Sequence, residues 1–220
     1  MSKGNGCSMT EIVCTMFVYQ SADVVLEALK SIDGKVDRII CFDGRWHGYT
    51  GPDHSTDETQ KIILEFSMSS KSQVYYITLP VLHQWQARTL ALQYLQNDDW
   101  AVTIDADEVV IEWDYNVRAT LENSTPDNKA YRVCWVLYKP YAGVPTPRCV
   151  RKTETLHWAK NHRQLLDKDG EIDICHAPVI HIVINHQPLA ETKKMRNQAT
   201  DYKKWLHEYE TTHWNQEDKP

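Results

Sequence analysis

The chain has 220 residues, 42% hydrophobic and 25% charged, enough to form one globular domain around a full hydrophobic core. Its formal net charge of −6 argues against a nucleic-acid partner, since it provides no basic field. No apolar run approaches the ~18 residues of a membrane span, and residues 1–14 lack the pattern of a signal peptide. We therefore expect a cytoplasmic protein without an integral membrane segment.

The six cysteines are widely scattered and form no C-x-x-C pair. Several lie in apolar, strand-like segments, which is typical of buried free thiols. The spacing argues against a zinc site, and we predict free thiols in a reducing compartment.

The first half of the chain alternates apolar segments with amphipathic ones. Strands are predicted at residues 11–19, 37–42, 73–79 and within 98–110. Helices are predicted between them: one capped by Ser21, one starting at Asp57 with Ser55 or Thr56 as its cap, and one over residues 84–96. Because these strands are too apolar to have a solvent face, they predict an α/β protein with a parallel sheet covered on both sides.

The second half of the chain is less regular. Further strands are predicted at residues 131–138, 147–151 and 177–185, and a polar helix within residues 191–213. No internal repeat or low-complexity linker separates the two halves. A single domain over residues 1–220 is therefore the better interpretation.

Acidic residues follow two of the predicted strands. Asp43 ends the second strand, and Asp105, Asp107 and Glu108 end the fourth. Ligands of parallel sheets bind at the carboxyl ends of the strands. In an extended chain Asp105 and Asp107 share one face, roughly 7 Å apart at Cα. Clustered carboxylates are costly without a cation, and their hard oxygens suit Mg²⁺ or Mn²⁺; a solvated loop with chance acids is the alternative.

Three segments resemble one enzyme family in order and spacing. TIDADE, residues 103–108, resembles the D-x-D end of the family 2 glycosyltransferases, nucleotide-sugar enzymes with the GT-A fold. Residues 42–59, FDGRWHGYTGPDHSTDET, resemble a lengthened form of its acid-then-S-T-D segment, with Asp43 and residues 55–57 in the corresponding places. QARTLAL, residues 86–92, resembles its A-R-N-x-G-x helix.

This resemblance covers roughly residues 11–110, and it departs from the family where Thr89 replaces the usual Asn and where the loop after Asp43 is longer. It implies a GT-A fold, which is a Rossmann-like three-layer α/β/α sandwich with a mostly parallel central sheet. It also implies a nucleotide-sugar-binding half at residues 11–112 and an acceptor-binding half at residues 113–190.

The resemblance implies roles for residues of the first half. Phe17, Tyr19 and Asp43 would hold the nucleotide base, with Asp43 accepting a hydrogen bond from a ring N–H. Arg88 would face the donor, a UDP- or GDP-linked sugar. Asp105 would contact the ribose or a metal-bound water. The alternatives are that Tyr19 is a core aromatic, that Asp43 belongs to a simple Asp-Gly turn, and that Arg88 is a surface helix residue.

The implied metal is Mn²⁺ or Mg²⁺, held directly by Asp107 and shared with Asp105. In many GT-A enzymes a late histidine completes the metal shell, and we prefer His186 to His181 because it follows a strand end. Lys193 begins a basic segment that would neutralise the departing diphosphate. A solvated helix face is the alternative interpretation of that segment.

An inverting transfer needs a carboxylate that takes the proton of the acceptor hydroxyl. The acid-rich segment 151–173 offers Glu154, Asp167, Asp169, Glu171 and Asp173. We take Glu154, which follows a predicted strand, and Asp169 as the candidate catalytic bases. Trp158 and its loop suit a carbohydrate or another hydroxyl acceptor. Retention of configuration remains open.

Two other functions fit the same architecture. A nucleotidyltransferase also uses carboxylate-held metal, but it needs a glycine-rich or basic phosphate loop, and QSADVV after Tyr19 contains neither glycine nor lysine. A non-catalytic carbohydrate-binding protein of the same fold is the other alternative.

Overall fold

The structure is a computed structural model that describes residues 10–136, 148–160 and 164–186. Its strands are β1 (Ile12–Val18), β2 (Arg38–Asp43), β3 (Gln73–Thr78), β4 (Trp100–Asp105), β5 (Glu108–Trp113), β6 (Ala130–Val136), β7 (Cys149–Arg151), β8 (His157–Trp158), β9 (Leu165–Asp167), β10 (Gly170–Glu171) and β11 (Val179–His186). Its helices are α1 (Val25–Ile32), α2 (Thr59–Ser67), α3 (Gln84–Leu92) and α4 (Val117–Glu122). Within these ranges no helix is long and apolar enough to cross a membrane.

Eight strands form the central sheet, in the order β3-β2-β1-β4-β7-β6-β11-β5. The neighbours β3–β2, β2–β1, β1–β4 and β6–β11 are parallel, and β4–β7, β7–β6 and β11–β5 are antiparallel. The sheet is therefore mostly parallel, as predicted. Strands β8, β9 and β10 form a separate small sheet.

The central sheet curls between β4 and β5. In the sheet order β4 and β5 are four positions apart, which would be about 19 Å in a flat sheet. In sequence only residues 106 and 107 separate them. Three Cα–Cα steps span at most about 11 Å. The curl closes this gap and places the Ala106–Asp107 turn where the two strands meet.

Helices cover both faces of the sheet. Leu29 of α1 and Ile63 of α2 belong to the hydrophobic cluster on one face. Ala87 of α3 belongs to the cluster on the other, together with Leu165 of the small sheet. Strand β1, at the centre, is buried along its whole length, as expected of a parallel strand covered on both sides. The predicted three-layer α/β/α sandwich is confirmed.

The helix boundaries differ from the sequence predictions. Helix α1 begins at Val25 rather than at the turn capped by Ser21, whose hydroxyl donates to the Tyr19 carbonyl. Helix α2 begins at Thr59, whose N–H donates to Asp57 Oδ1 at 3.1 Å, so Asp57 satisfies one N–H of its first turn. Helix α3 ends at Leu92 instead of residue 96, because the following residues bond three positions back.

The structure describes the side chains of Cys14, Cys41, Cys149 and Cys175, all of them free thiols. Cys14, Cys41 and Cys149 are buried, as predicted, while Cys175 is exposed. Burial raises the pKa of Cys41 to about 12 and also raises the pKa values of the other two buried thiols. These thiols pack as small apolar groups.

Candidate functional site

The ends of three parallel strands bring the predicted donor-site residues to one edge of the sheet. Phe17 of β1 pairs in register with Asp105 of β4, and the next residue of β1 pairs with Asp43 of β2. Helix α3 begins near this edge, and Arg88 Nη2 lies 3.7 Å from Asp105 Oδ1. Phe17, Asp43, Arg88 and Asp105 therefore meet at the carboxyl edge, where ligands of such sheets bind.

The acids after β4 point in different directions. Asp105 is 31% exposed and Asp107, in the turn between β4 and β5, is also partly exposed, whereas Glu108 is 1% exposed. The backbone N–H of Asp105 donates to Glu108 Oε2 at 2.7 Å. Two of the three acids are thus partly exposed at the carboxyl edge, and the third turns inward and closes the turn.

A buried arginine that the sequence analysis missed compensates Glu108. Arg148, just before β7, donates to both oxygens of Glu108 at 2.8 Å each. Its Nη1 also donates to the Thr103 carbonyl at 3.3 Å and to Asp105 Oδ2 at 3.5 Å. Such bidentate, charge-assisted bonds are among the strongest in proteins. The sequence contained one sign that a buried cation was needed: Glu108 lies next to a buried strand, and a buried acid needs a cation to compensate its charge.

Two effects oppose each other at Glu108. The pKa of its carboxyl lies above the usual range, because burial and repulsion from Asp105 raise it while Arg148 acts to lower it. The cost of burying this acid is therefore large, and Arg148 is the contact that offsets it.

Arg88 is the second buried cation of the site. Its guanidinium lies 5.8 Å from the ring centroid of Phe17 and 5.1 Å from that of Trp158, within range of cation–π attraction. Asp105 therefore lies between two arginines, with Oδ1 toward Arg88 and Oδ2 toward Arg148. Trp158 is only 2% exposed and packs against Arg88, so it does not present a free face to an acceptor sugar as the sequence suggested.

Asp43 and Tyr19 hold the long loop that follows β2. Asp43 is fully buried and accepts hydrogen bonds from the Ser55 N–H at 3.0 Å, the Ser55 hydroxyl at 2.8 Å and the Tyr76 hydroxyl. Tyr19 donates its hydroxyl to the Pro52 carbonyl at 2.9 Å. In this conformation both side chains fix residues 44–57 against the carboxyl edge. The predicted contact of Asp43 with a nucleotide base stays a prediction.

Strand β11 ends beside the acidic turn. His186, its last residue, pairs in register with Glu108, so its backbone lies next to the turn that carries Asp107. The side chain of His186 and the whole of Lys193 lie outside the described residues. His181 is five residues earlier, about 16 Å along the strand, where its Nε2 lies 2.7 Å from Glu112 Oε2 in an exposed pair.

Asp169 lies at the opposite edge of the sheet. Its carboxylate is 2.9 Å from Lys129 Nζ. The Lys129 carbonyl accepts the N–H of Arg151, and Arg151 pairs with Trp100, the first residue of β4. Asp105 is five residues further along β4, about 16 Å from Trp100. The structure does not bring Asp169 to the edge that carries the acidic turn.

Glu154, the other candidate base, also lies toward that opposite edge. Strand β7 runs antiparallel to β4, and the N–H of Lys152 donates to the Asp99 carbonyl at 2.7 Å, just before β4 begins. Glu154 follows two residues later in an exposed turn. It is therefore separated from Asp105 by the length of β4.

The oxygen donors at the carboxyl edge fit a hard divalent cation. Within residues 10–136, 148–160 and 164–186, no group of three or more His, Cys, Asp or Glu side chains could hold a metal ion. Asp105 and Asp107 supply two carboxylates with partial exposure. This set suits Mg²⁺ or Mn²⁺, which commonly take one or two carboxylates and complete their shell with water and phosphate oxygens.

Comparisons with known proteins identify the family and the fold of the chain. The family model of glycosyl transferase family 2 matches residues 13–177, which confirms the family resemblance. TarS of S. aureus is 12% identical with a TM-score of 0.52, over 96% of this chain and 46% of TarS, so the chain spans less than half of that protein. TarS 1–349 in complex with UDP is 10% identical with a TM-score of 0.54, over 94% of this chain and 74% of the other. These likenesses confirm the GT-A fold. No curated protein sequence matches the chain.

Proposed function

Because the chain belongs to glycosyl transferase family 2, we propose that it transfers a sugar from a nucleoside-diphosphate sugar to a hydroxyl of a carbohydrate or another acceptor. The observation that carries this proposal is the Asp105–Ala106–Asp107 turn at the carboxyl edge of the sheet, beside Phe17 and Arg88. TarS, which shares the fold, has been solved with UDP. UDP-linked donors are therefore the first to test, before GDP-linked ones.

The nucleoside would bind between the end of β1 and the loop after β2. The rings of Phe17 and Trp46 lie 5.5 Å apart there, and Tyr19 and Asp43 fix the loop. Aromatic rings and hydrogen-bonded loops supply the apolar faces and the few polar groups that small-ligand sites require. Residues 11–112 would thus bind the donor, and residues 113–190 the acceptor.

The diphosphate would lie over the acidic turn. We assign Asp107, with Asp105, to hold Mn²⁺ or Mg²⁺, with His186 as a further ligand from the neighbouring strand end. The bound metal would stabilise the negative charge that develops on the leaving diphosphate. Lys193, which follows His186 in sequence, would add a second positive charge there. Arg88 would orient Asp105 by its contact with Oδ1.

For the transfer itself we propose inversion at the anomeric carbon. A carboxylate would take the proton of the acceptor hydroxyl as that oxygen attacks. Glu154 and Asp169 are the two candidates for this base, and substitution of each tests its role.

Thermal unfolding with UDP, GDP and their sugars, with and without Mn²⁺, tests the donor site. A ligand that binds only the folded chain raises the melting temperature as its concentration rises. We expect a Mn²⁺-dependent rise with UDP or a UDP-sugar, together with slow hydrolysis of that sugar. Asp107→Asn should abolish both effects, and Glu112→Gln, an exposed acid further along β5, should leave both unchanged. A folded Asp107→Asn protein with undiminished binding and hydrolysis would overturn the proposal.

A further inference from the structure

We propose that Glu108 and Arg148 are positioning residues that set how Asp105 and Asp107 are presented to the metal and diphosphate. This inference rests on the proposed function and deepens it. Neither side chain is exposed enough to contact a ligand, since both are almost fully buried. Their contacts run to the backbone and side chains on both sides of the Ala106–Asp107 turn.

Arg148 and Glu108 contact the chain on both sides of the acidic turn. Arg148 donates to the Thr103 carbonyl before the turn, to Asp105 at its start and to Glu108 at its end. Glu108 in turn accepts the backbone N–H of Asp105 at 2.7 Å. One buried ion pair therefore fixes both ends of the Ala106–Asp107 turn. Because this turn is only two residues long, few positions are open to Asp107.

Arg148 also compensates the negative charge of the acidic turn. Three carboxylates within four residues repel one another, and Arg148 offsets this repulsion from the buried side. With Arg88 3.7 Å from Oδ1 and Arg148 3.5 Å from Oδ2, the two oxygens of Asp105 face different cations. This arrangement holds the Asp105 carboxylate in one orientation. Side chains that orient metal ligands in this way typically change metal affinity about 10–100-fold when they are altered.

The direction of β7 places Arg148 beside the acidic turn. Strand β7 is antiparallel to β4, so its start lies toward the carboxyl edge. The Arg148 carbonyl accepts the Thr103 N–H at 2.8 Å, which fixes its backbone beside β4. A parallel strand would have presented its end at this edge. The antiparallel insertion of β7 thus delivers a buried arginine to the inner side of the acidic turn.

The test is Arg148→Lys, which keeps the charge but cannot form the bidentate contact. Arg151→Lys is its matched control: Arg151 lies on the same chain segment and pairs with Asp98 at 3.1 Å and the Thr125 carbonyl at 2.9 Å, at the other edge of the sheet. The measurements are Mn²⁺ affinity in the presence of UDP, by electron paramagnetic resonance, and amide hydrogen exchange of residues 105–108 without ligand.

We expect Arg148→Lys to weaken Mn²⁺ binding about 10–100-fold and to speed exchange at residues 105–108 more than elsewhere. Arg151→Lys should do neither. If Arg148→Lys fails to fold, Glu108→Gln with Arg148→Met replaces the buried pair by neutral groups of similar size, a change that proteins often tolerate. That double variant should also bind Mn²⁺ more weakly.

Two results would overturn the inference in distinguishable ways. If the unaltered chain binds Mn²⁺ with UDP and the folded Arg148 variants bind equally well, the positioning role is wrong and the proposed function stands. If the unaltered chain binds neither Mn²⁺ nor UDP, the proposed function fails and the inference fails with it.

Discussion

A fully buried carboxylate is stable only when donors surround it, and Asp43 meets this condition through the loop that follows it. Its oxygens accept the Ser55 N–H, the Ser55 hydroxyl and the Tyr76 hydroxyl. Because Ser55 lies twelve residues after Asp43, these bonds close the loop at its far end. Asp43 therefore helps to hold residues 44–57 at the donor edge, together with the Tyr19–Pro52 hydrogen bond and the Arg45–Asp53 ion pair.

Asp43→Asn should loosen this loop. The amide places a donor where the carboxylate accepts bonds from Ser55 and Tyr76, so at least one bond is lost in a buried site. We expect the free energy of unfolding to fall by about 1–3 kcal/mol and residues 44–57 to become more sensitive to proteolysis. Urea unfolding and limited proteolysis measure the two effects. Asp53→Asn, the same change at an exposed acid of the loop, is the control; equal effects of both variants would contradict the role of Asp43.

The cysteines should differ in reactivity by position. Burial raises the pKa of Cys41 to about 12 and also raises the pKa values of Cys14 and Cys149, so their thiolates are scarce as well as inaccessible. Cys175 is exposed. Iodoacetamide at pH 8 should modify Cys175 in the native protein and the three buried thiols only in denaturant, as mapped by mass spectrometry. Native labelling of Cys41 at a rate equal to Cys175 would contradict this expectation.

At the scale of elements, Asp33 joins the end of α1 to the loop before β3. Its Oδ1 accepts the Ser70 hydroxyl at 2.6 Å and the N–H groups of Lys71 and Ser72 at 2.9 and 3.1 Å. Burial acts to raise the pKa of Asp33, but these hydrogen bonds outweigh it and hold the pKa below its ordinary 3.8. The folded state therefore prefers this carboxyl ionised.

This preference makes a pH-dependent contribution to stability. Because the folded pKa of Asp33 is below the unfolded one, its contribution is present above the unfolded value and is lost as pH falls through the folded value. Asp33→Asn should lower the free energy of unfolding by about 0.5–1 kcal/mol at pH 7, since the site is largely solvated. The difference should shrink below pH 3. Urea unfolding at pH 7 and pH 2.5 measures it, with Asp23→Asn, an exposed acid before α1, as control; a constant difference would contradict the argument.

The sequence predicted the elements whose signal is local. Strands β1–β4 and helices α1–α3 were expected near their observed places, because long apolar or periodic runs mark them without reference to their partners. Strand β7 was predicted within residues 147–151 and is found at Cys149–Arg151. Strands β8 and β10 were not predicted, because a strand of two residues has no pattern of its own and exists only through its pairing with β9. Strand β5 and helix α4 were missed for a related reason: their burial depends on the curl of the sheet.

In the candidate site, too, local patterns predicted some residues, while tertiary pairing alone brings in others. Phe17, Asp43 and Asp105 were expected together because the ends of parallel strands share an edge. Arg148 was not expected, because its partner Glu108 lies 40 residues away and the direction of β7 is set by tertiary pairing. Composition and spacing do not record that direction. Conversely, Glu154 looked favourable because it follows a strand, but that strand runs away from the site.

The two edges of the central sheet carry different groups of charged residues. The carboxyl edge carries the acidic turn. Near the other edge, a cavity of about 360 Å³ is lined by Lys129, Asp167 and Asp169 together with other polar residues. Lys129 contacts both of these acids, and its hydrogen bonds help to lower the pKa of Asp167 against the effect of burial. These contacts tie the small sheet of β8–β10 to the start of β6, which gives Asp167 and Asp169 a structural role.

The distance between the two edges of the sheet predicts how variants of the candidate bases Glu154 and Asp169 behave. Charges further apart than the Debye length of about 8–10 Å are largely screened, so Glu154→Gln and Asp169→Asn should keep donor hydrolysis within about twofold of the unaltered chain. Asp107→Asn should abolish it. Release of UDP from a UDP-sugar in the presence of Mn²⁺ measures this, and transfer to an acceptor measures the base directly. If either variant lost transfer while keeping Mn²⁺-dependent UDP binding, that residue would be the base, and the acceptor would have to reach it from an edge of the sheet about 16 Å from Asp105.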